Sequence, residues 1–240
     1  CEIEFKNVTF SYPGSSKTVL NDVSFVIHPG CFNVLFGPSG CGKSTILSII
    51  LGFYPISSGS IFIDGVELGN LDIKYLRSQI GTILQTPTLP PSSIREALTT
   101  GLPTPDEAIW SALQTVNLTE EINSLPMKLE TILSEGASNI SGGQRQRLCI
   151  ARALLSRPRM LLEDESTSAL DNTSQQIIVS NIKSLGITRI VVAHRLSAIR
   201  NCDNLIVIVD GQVETAGAFD ECTKSSHYLA SVLSQDSSLS

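Results

Sequence analysis

The stretch Phe32-Asn33-Val34-Leu35-Phe36-Gly37-Pro38-Ser39-Gly40-Cys41-Gly42-Lys43-Ser44-Thr45 joins a run of apolar residues to a glycine-rich turn, and an apolar-periodic segment from Ser44 to Leu51 follows. That order predicts a buried strand, a loop and a helix. Gly37 to Thr45 satisfies the phosphate-loop pattern in the setting that the pattern requires. Glycines let the backbone curl until its N–H groups point at phosphate oxygens, and the helix N-terminus adds positive potential. In such a loop Lys43 meets the β and γ phosphates and Ser44 ligates magnesium. Gly37, Pro38, Ser39, Gly40, Cys41, Gly42, Lys43, Ser44 and Thr45 are therefore the candidate nucleotide cradle.

Upstream, Ile3, Phe5, Val8, Phe10 and Tyr12 alternate up to a turn at Pro13-Gly14, and Val23, Phe25 and Ile27 alternate up to Pro29-Gly30. This predicts an antiparallel meander. Downstream, Gly59 to Leu68 predicts a hairpin turning at Asp64-Gly65. The proline-rich segment after Gln85 carries helical patterns at Ser93–Leu98 and Asp106–Val116, a helical insert. From Gln144 a helix to Leu155, a buried strand Met160–Leu162, a helix near Asn172–Leu185 and a strand Arg189–Ala193 alternate, which argues a parallel sheet. Leu205–Val209 and Gln212–Glu214 flank Asp210-Gly211 as a last hairpin, and the polar end is expected to fray.

Composition sets limits on the function classes. With 42% hydrophobic residues among 240, the chain can bury a sizeable core and is not a disordered segment. Its 17 Lys+Arg against 23 Asp+Glu give −6 with no basic run, so no nucleic-acid partner is expected. The longest apolar stretch, Ile46 to Phe53, is interrupted by Ser48 and Gly52 and falls far short of the roughly 18 residues of a membrane helix. The chain starts at Cys1 rather than Met, as a domain excised from a longer protein would. Six cysteines show no CxxC pair and no zinc spacing, which suits reduced thiols in a cell.

A magnesium-nucleotide site also needs a carboxylate at the end of a neighbouring strand, and Met160-Leu161-Leu162-Glu163-Asp164-Glu165 offers one. Asp164 is the expected magnesium-side acid. Glu165 is expected to polarise the attacking water or hold it in line. Ile140-Ser141-Gly142-Gly143-Gln144, followed by Arg145-Gln146-Arg147, resembles the signature peptide of the ATP-binding cassette (ABC) transporters, and Ser168-Ala169-Leu170-Asp171 follows the acid pair in the same manner. The resemblance runs from about Ile3 to Leu233. It implies an α/β fold of the ABC ATPase type, a P-loop NTPase with a mixed, largely parallel core sheet, an antiparallel β subdomain and a helical subdomain. It further implies a single nucleotide-binding domain over 1–240, with about 1–85 and 157–233 as the β subdomain and core, about 86–156 as the helical subdomain, and 234–240 as a polar tail.

The resemblance also assigns roles. Tyr12 resembles the aromatic that stacks on adenine, Gln85 the glutamine that reaches magnesium and the water and couples to the membrane partner, and His194 the switch histidine on the γ-phosphate. Magnesium would be held by Ser44, Gln85 and Asp164, and catalysis carried by Glu165, His194, Gln85 and Lys43. A glycine pair at a helix N-terminus makes a second anion-binding end. In the family two domains pack head to tail, so that Ser141, Gly142, Gly143 and Gln144 of one meet the ATP held by the other, and Asp171 communicates across the interface. The implied cofactors are ATP and Mg2+, and the implied partners are a second copy and transmembrane domains N-terminal on the same polypeptide. The implied location is the cytoplasmic face of the cell (inner) membrane.

Leu71–Arg77, Ser93-Ile94-Arg95-Glu96 and Leu133-Ser134-Glu135-Gly136 resemble exporters, with Glu135 as the acid of the loop that touches the membrane domains. Leu125–Thr131 looks most like bacterial peptide and bacteriocin exporters. The alternative classes are a soluble ABC ATPase and a nucleotide-gated regulatory module without transport. One departure stands out: Glu163 occupies a strand position where the family carries an apolar residue, and the sequence offers it no partner. An unpaired carboxylate on a buried strand is costly, so Glu163 is expected to be either matched by a cation or held protonated with a raised pKa, at a modest loss of stability, and Glu163→Leu is expected not to lower the melting temperature.

Overall fold

The computed structural model describes residues 1–83, 88–164, 172–193 and 196–237. In chain order its strands are β1 (Ile3–Ser11), β2 (Thr18–Ile27), β3 (Phe32–Phe36), β4 (Ser58–Ile63), β5 (Val66–Glu67), β6 (Ile80–Ile83), β7 (Met160–Asp164), β8 (Thr188–Ala193), β9 (Asn204–Val209) and β10 (Gln212–Gly217). The helices are α1 (Lys43–Ile50), α2 (Ile73–Ser78), α3 (Ile94–Thr99), α4 (Asp106–Thr115), α5 (Thr119–Ser124), α6 (Gly142–Leu155), α7 (Asn172–Ser184), α8 (Leu196–Ile199), α9 (Phe219–Ser225) and α10 (His227–Ser237). The chain divides into two compact units, Cys1–Arg77 with Thr188–Ser240, and Ser78–Ile187.

The first unit contains an antiparallel sheet in the order β2-β1-β4-β5. Alternation in β1 buries Ile3, Phe5, Val8 and Phe10, and the register against β2 slips between Phe5 and Val8. Asn7, with φ 48, forms that bulge, its N–H donating to Ser24 Oγ and its amide to Asp22. The same unit holds the run β10-β9-β3-β8, in which β3 pairs in parallel with both β8 and β9. Val34, Phe36, Val191, Leu205 and Val207 pack there with Ile199, Cys222 and Leu229. All six residues of β8 and the first five of β9 are buried, and after the polar starts Thr188-Arg189 and Asn204 both strands read as the apolar runs of a covered parallel sheet.

A polar bracket sets the start of β3. Asn33 is fully buried, its amide nitrogen shared among the carbonyls of His28, Cys31 and Arg189, its oxygen accepting from His28 N–H and Asn204 Nδ2. The strand that delivers the phosphate loop is thus fixed at its origin by side-chain amides as well as by the ladder.

The second unit pairs β6 in parallel with β7 and surrounds a core of Ile94, Leu98, Ile109, Leu113, Leu118, Leu148, Ile150, Leu161, Ile178 and Ile182. The helical insert is present, with α5 added to the two helices legible in the sequence. β7 runs two residues beyond the expected Met160–Leu162, through Glu163 and Asp164. Glu163 is 1% exposed and is not without a partner in the fold, although the sequence names none for it.

Of the polar end expected to fray, 234–237 are instead the last turn of α10, and 238–240 lie outside the described residues. The N-terminus of α10 is capped twice over. Ser226 Oγ accepts from Leu229 N–H and donates to Glu214 of β10, whose other oxygen accepts from His227 and Tyr228 N–H. That long-range carboxylate satisfies first-turn donors that the local sequence leaves open.

Candidate nucleotide site and signature helix

The phosphate loop bends as it does because two of its positions admit only glycine. A Cβ on Gly37 would lie 2.0 Å from the carbonyl oxygen of Ile208 in β9. Gly42 caps α1 at φ 108, and its Cβ would stand 2.6 Å from Leu20 Cδ2. α1 then starts with no side-chain cap and no acidic residue in its first turn, so its orphan N–H groups are left for an anion. Lys43 is 4% exposed, with its ammonium donating to the carbonyls of Gly37 at 2.8 Å and Pro38 at 2.7 Å and to Cys41 Sγ at 3.6 Å. The loop is closed over its own cation, while Ser39, Gly40 and Ser44 are exposed.

The structure brings Tyr12 to this loop. Its hydroxyl lies 2.9 Å from Thr45 Oγ1 in the first turn of α1, and its half-buried ring meets the rings of Phe10 and Tyr54 in T-shaped contacts. Asp164 stands half-buried as the last residue of β7. Gln85, Glu165, Asp171 and His194 lie outside the described residues.

In the second unit Ser141 caps α6, whose helix begins at Gly142 rather than at the expected Gln144. Ser141 Oγ accepts from Gln144 N–H at 3.1 Å, and Gln144 Oε1 accepts from Ser141 N–H at 2.9 Å, a reciprocal capping box. Gly142 is exposed and helical, and a Cβ there would meet nothing within 4 Å. Neither backbone nor packing within the chain demands this glycine. Glu135 is exposed in a loop braced by Asn139, whose side chain accepts from Ser134 N–H and donates to the Ile132 carbonyl. Arg145 reaches the Gly136 carbonyl of that loop at 2.8 Å.

Sequence reasoning missed Glu121 in α5, which touches the signature helix at Gln144 and Arg147. The Ser-x-x-Gln spacing was a legible sign that Gln144 folds back on Ser141; nothing local points from there to Glu121.

The donor set suits a magnesium-bound nucleoside triphosphate. In the first unit, uncapped N–H groups and a buried ammonium suit phosphate oxygens, and the exposed Ser44 hydroxyl is the kind of hard oxygen donor that magnesium takes.

Comparison with known proteins agrees with this chemistry. The family described as ABC transporter matches residues 20–168. ABC transporter B family member 14 of Arabidopsis thaliana is 42% identical over 223 residues, which are 92% of this chain and 18% of that protein. Multidrug resistance protein 1 of Entamoeba histolytica is 40% identical over 227 residues, 92% of this chain and 17% of that protein. The solved structure of a bacterial Atm1-family ABC exporter with ATP bound matches with a TM-score of 0.90 at 31% identity, covering 98% of this chain and 41% of that one. The chain therefore spans less than a fifth of the length of these two curated relatives. By matched residues, fold and loop chemistry, the chain belongs to the ABC transporter family, as an ATP-hydrolysing domain.

Proposed function

We propose that two copies of this domain close head to tail around two ATP and that hydrolysis resets them, driving export through transmembrane domains that precede it on the same polypeptide. The observation that carries the reading is the contrast between two helix ends. α1 leaves its first-turn N–H groups uncapped beside a buried lysine, whereas α6 is self-capped and presents exposed glycine that its own fold does not need.

Lys43, held in line by the Gly37 and Pro38 carbonyls, neutralises phosphate charge, and Tyr12 presents its ring to adenine. Ser44, Asp164 and Gln85 hold the magnesium, which when bound offsets charge on the phosphate oxygens. Glu165 orients the attacking water and accepts its proton, and His194 donates to the γ-phosphate. Ser141 and Gly143 meet the γ-phosphate held by Lys43 of the second copy, and Asp171 links the two sites. The division into a β subdomain with core and a helical insert of about 86–156 belongs to the same reading. So do Gln85 and Glu135 as the couplers to the membrane domains.

No helix among the described residues is long and apolar enough to cross a membrane. The proposed place is the cytoplasmic face of the membrane that holds the transmembrane part. The sequence phrases around Leu125–Thr131 favour a peptide cargo; the names of the multidrug resistance relatives favour a second reading, a multidrug-type cargo. Uptake of labelled peptides and of hydrophobic drugs into inside-out vesicles of the full-length protein separates the two.

Size-exclusion with light scattering on wild type and Glu165→Gln, with and without Mg-ATP and alongside phosphate release, tests the motor. The expected result is an ATP-dependent dimer in the variant and turnover only in wild type. Neither dimer nor turnover in the full-length protein would leave a nucleotide-gated module instead.

A further inference from the structure

Gln144 can form its capping box in only one of its two amide orientations. With Oε1 toward Ser141 N–H the box closes; flipped, two donors would face each other and Ser141 N–H would lose its acceptor. Glu121 of α5 decides between them. An ionised carboxylate only accepts, and Glu121 Oε2 lies 2.7 Å from Gln144 Nε2, which turns Oε1 to Ser141. Its other oxygen lies 2.7 Å from Arg147 Nη1. Arg147 is itself buried and donates to the Asn117 carbonyl at 2.7 Å and, from Nε, to the Gly143 carbonyl at 3.4 Å. One carboxylate thus ties two successive turns of α6 at its N-terminal end.

We infer that Glu121 is a positioning residue for the signature peptide: by holding the Gln144 amide with its oxygen on Ser141 N–H it keeps the capping box closed and Ser141 in place, with the Ser141 hydroxyl, which accepts from Gln144 backbone N–H, set to donate its proton to an anion. The inference rests on the reading of Ser141 as a ligand of the second copy's ATP. The charge-assisted bonds involved are of the kind whose loss changes an equilibrium about tenfold.

The test compares Glu121→Ala and Glu121→Gln in the full-length protein, each also combined with Glu165→Gln. Affinity of the phosphate loop is read with a fluorescent ATP analogue, closure as the Mg-ATP midpoint for dimerisation, and chemistry as kcat and KM. Glu121→Ala is expected to leave analogue binding within about twofold while raising the dimerisation midpoint and lowering kcat about tenfold. Glu121→Gln, which offers Gln144 an oxygen but Arg147 no charge, should fall between. Should the alanine variant fail to fold, the glutamine variant decides alone. A lower melting temperature with unchanged midpoint and kcat makes Glu121 merely structural and overturns the inference. If the parent protein itself neither closes on ATP nor turns over, the reading of the signature peptide fails first, and that outcome is visible before any Glu121 variant is made.

Discussion

Asn33 illustrates how a single polar side chain can matter more than the apolar residues around it. Buried with partners on His28, Cys31, Arg189 and Asn204, it cannot be replaced by an isosteric hydrophobe without stranding several of them. Asn33→Leu is expected to cost about 2–4 kcal/mol, since each orphaned buried group costs about 1–3; chemical denaturation measures it. Gly37 is constrained by space instead. Gly37→Ala would drive a methyl into the Ile208 carbonyl, so the loop must shift. A lower melting temperature and at least about tenfold weaker nucleotide binding are expected, because backbone N–H groups placed for phosphate no longer converge. Unchanged binding by this variant would mean that the loop tolerates a shift its packing argues against.

Among elements, the helical insert is tied together by Arg95. It meets Asp106 in the first turn of α4 through two nitrogens and Glu130, in the 3-10 turn Lys128–Glu130 beyond α5, through a third. Bonding to Arg95 holds the Asp106 carboxyl below its ordinary value of 3.8. A depressed folded-state value contributes stability above the unfolded value that is lost as pH falls through the folded one. Asp106→Asn should therefore lower the melting temperature slightly at pH 7, less as the pH drops below 3.8, and not at all once wild type is protonated in both states. The pair is exposed, so the effect is small, and salt should reduce it. Tyr12 connects β1 to α1 through Thr45. Tyr12→Phe keeps the ring and removes the hydroxyl, so ATP affinity should change by no more than a few-fold, whereas Tyr12→Ala should lose the stacking surface and weaken binding about tenfold or more. Calorimetric titration with ATP distinguishes the two.

For the molecule as a whole, five of the six cysteines report on packing, the sixth, buried Cys41, lying inside the phosphate loop. Burial pushes the thiols of Cys149 and Cys222 up and that of Cys202 to about 12, while Cys1 and Cys31 are half-exposed. Native alkylation at pH 8 should label Cys1 and Cys31 first and reach Cys149, Cys202 and Cys222 only on unfolding, because the thiolate is the reacting species; peptide mapping over time reads the order. The sequence by itself determined the strand, loop and helix around Gly37–Thr45, the hairpins at Asp64-Gly65 and Asp210-Gly211, and the signature helix. Each depends on spacing, turn chemistry or periodicity within about a dozen residues. The tertiary structure alone decided that Glu121 sets the Gln144 amide, that Asn33 anchors β3, that Glu214 caps α10 so that the polar end is helical to Ser237, and that Glu163 is engaged rather than stranded. In those cases the partner lies far along the chain, or the polar group is buried only once the fold brings distant segments together, and local sequence carries no trace of either.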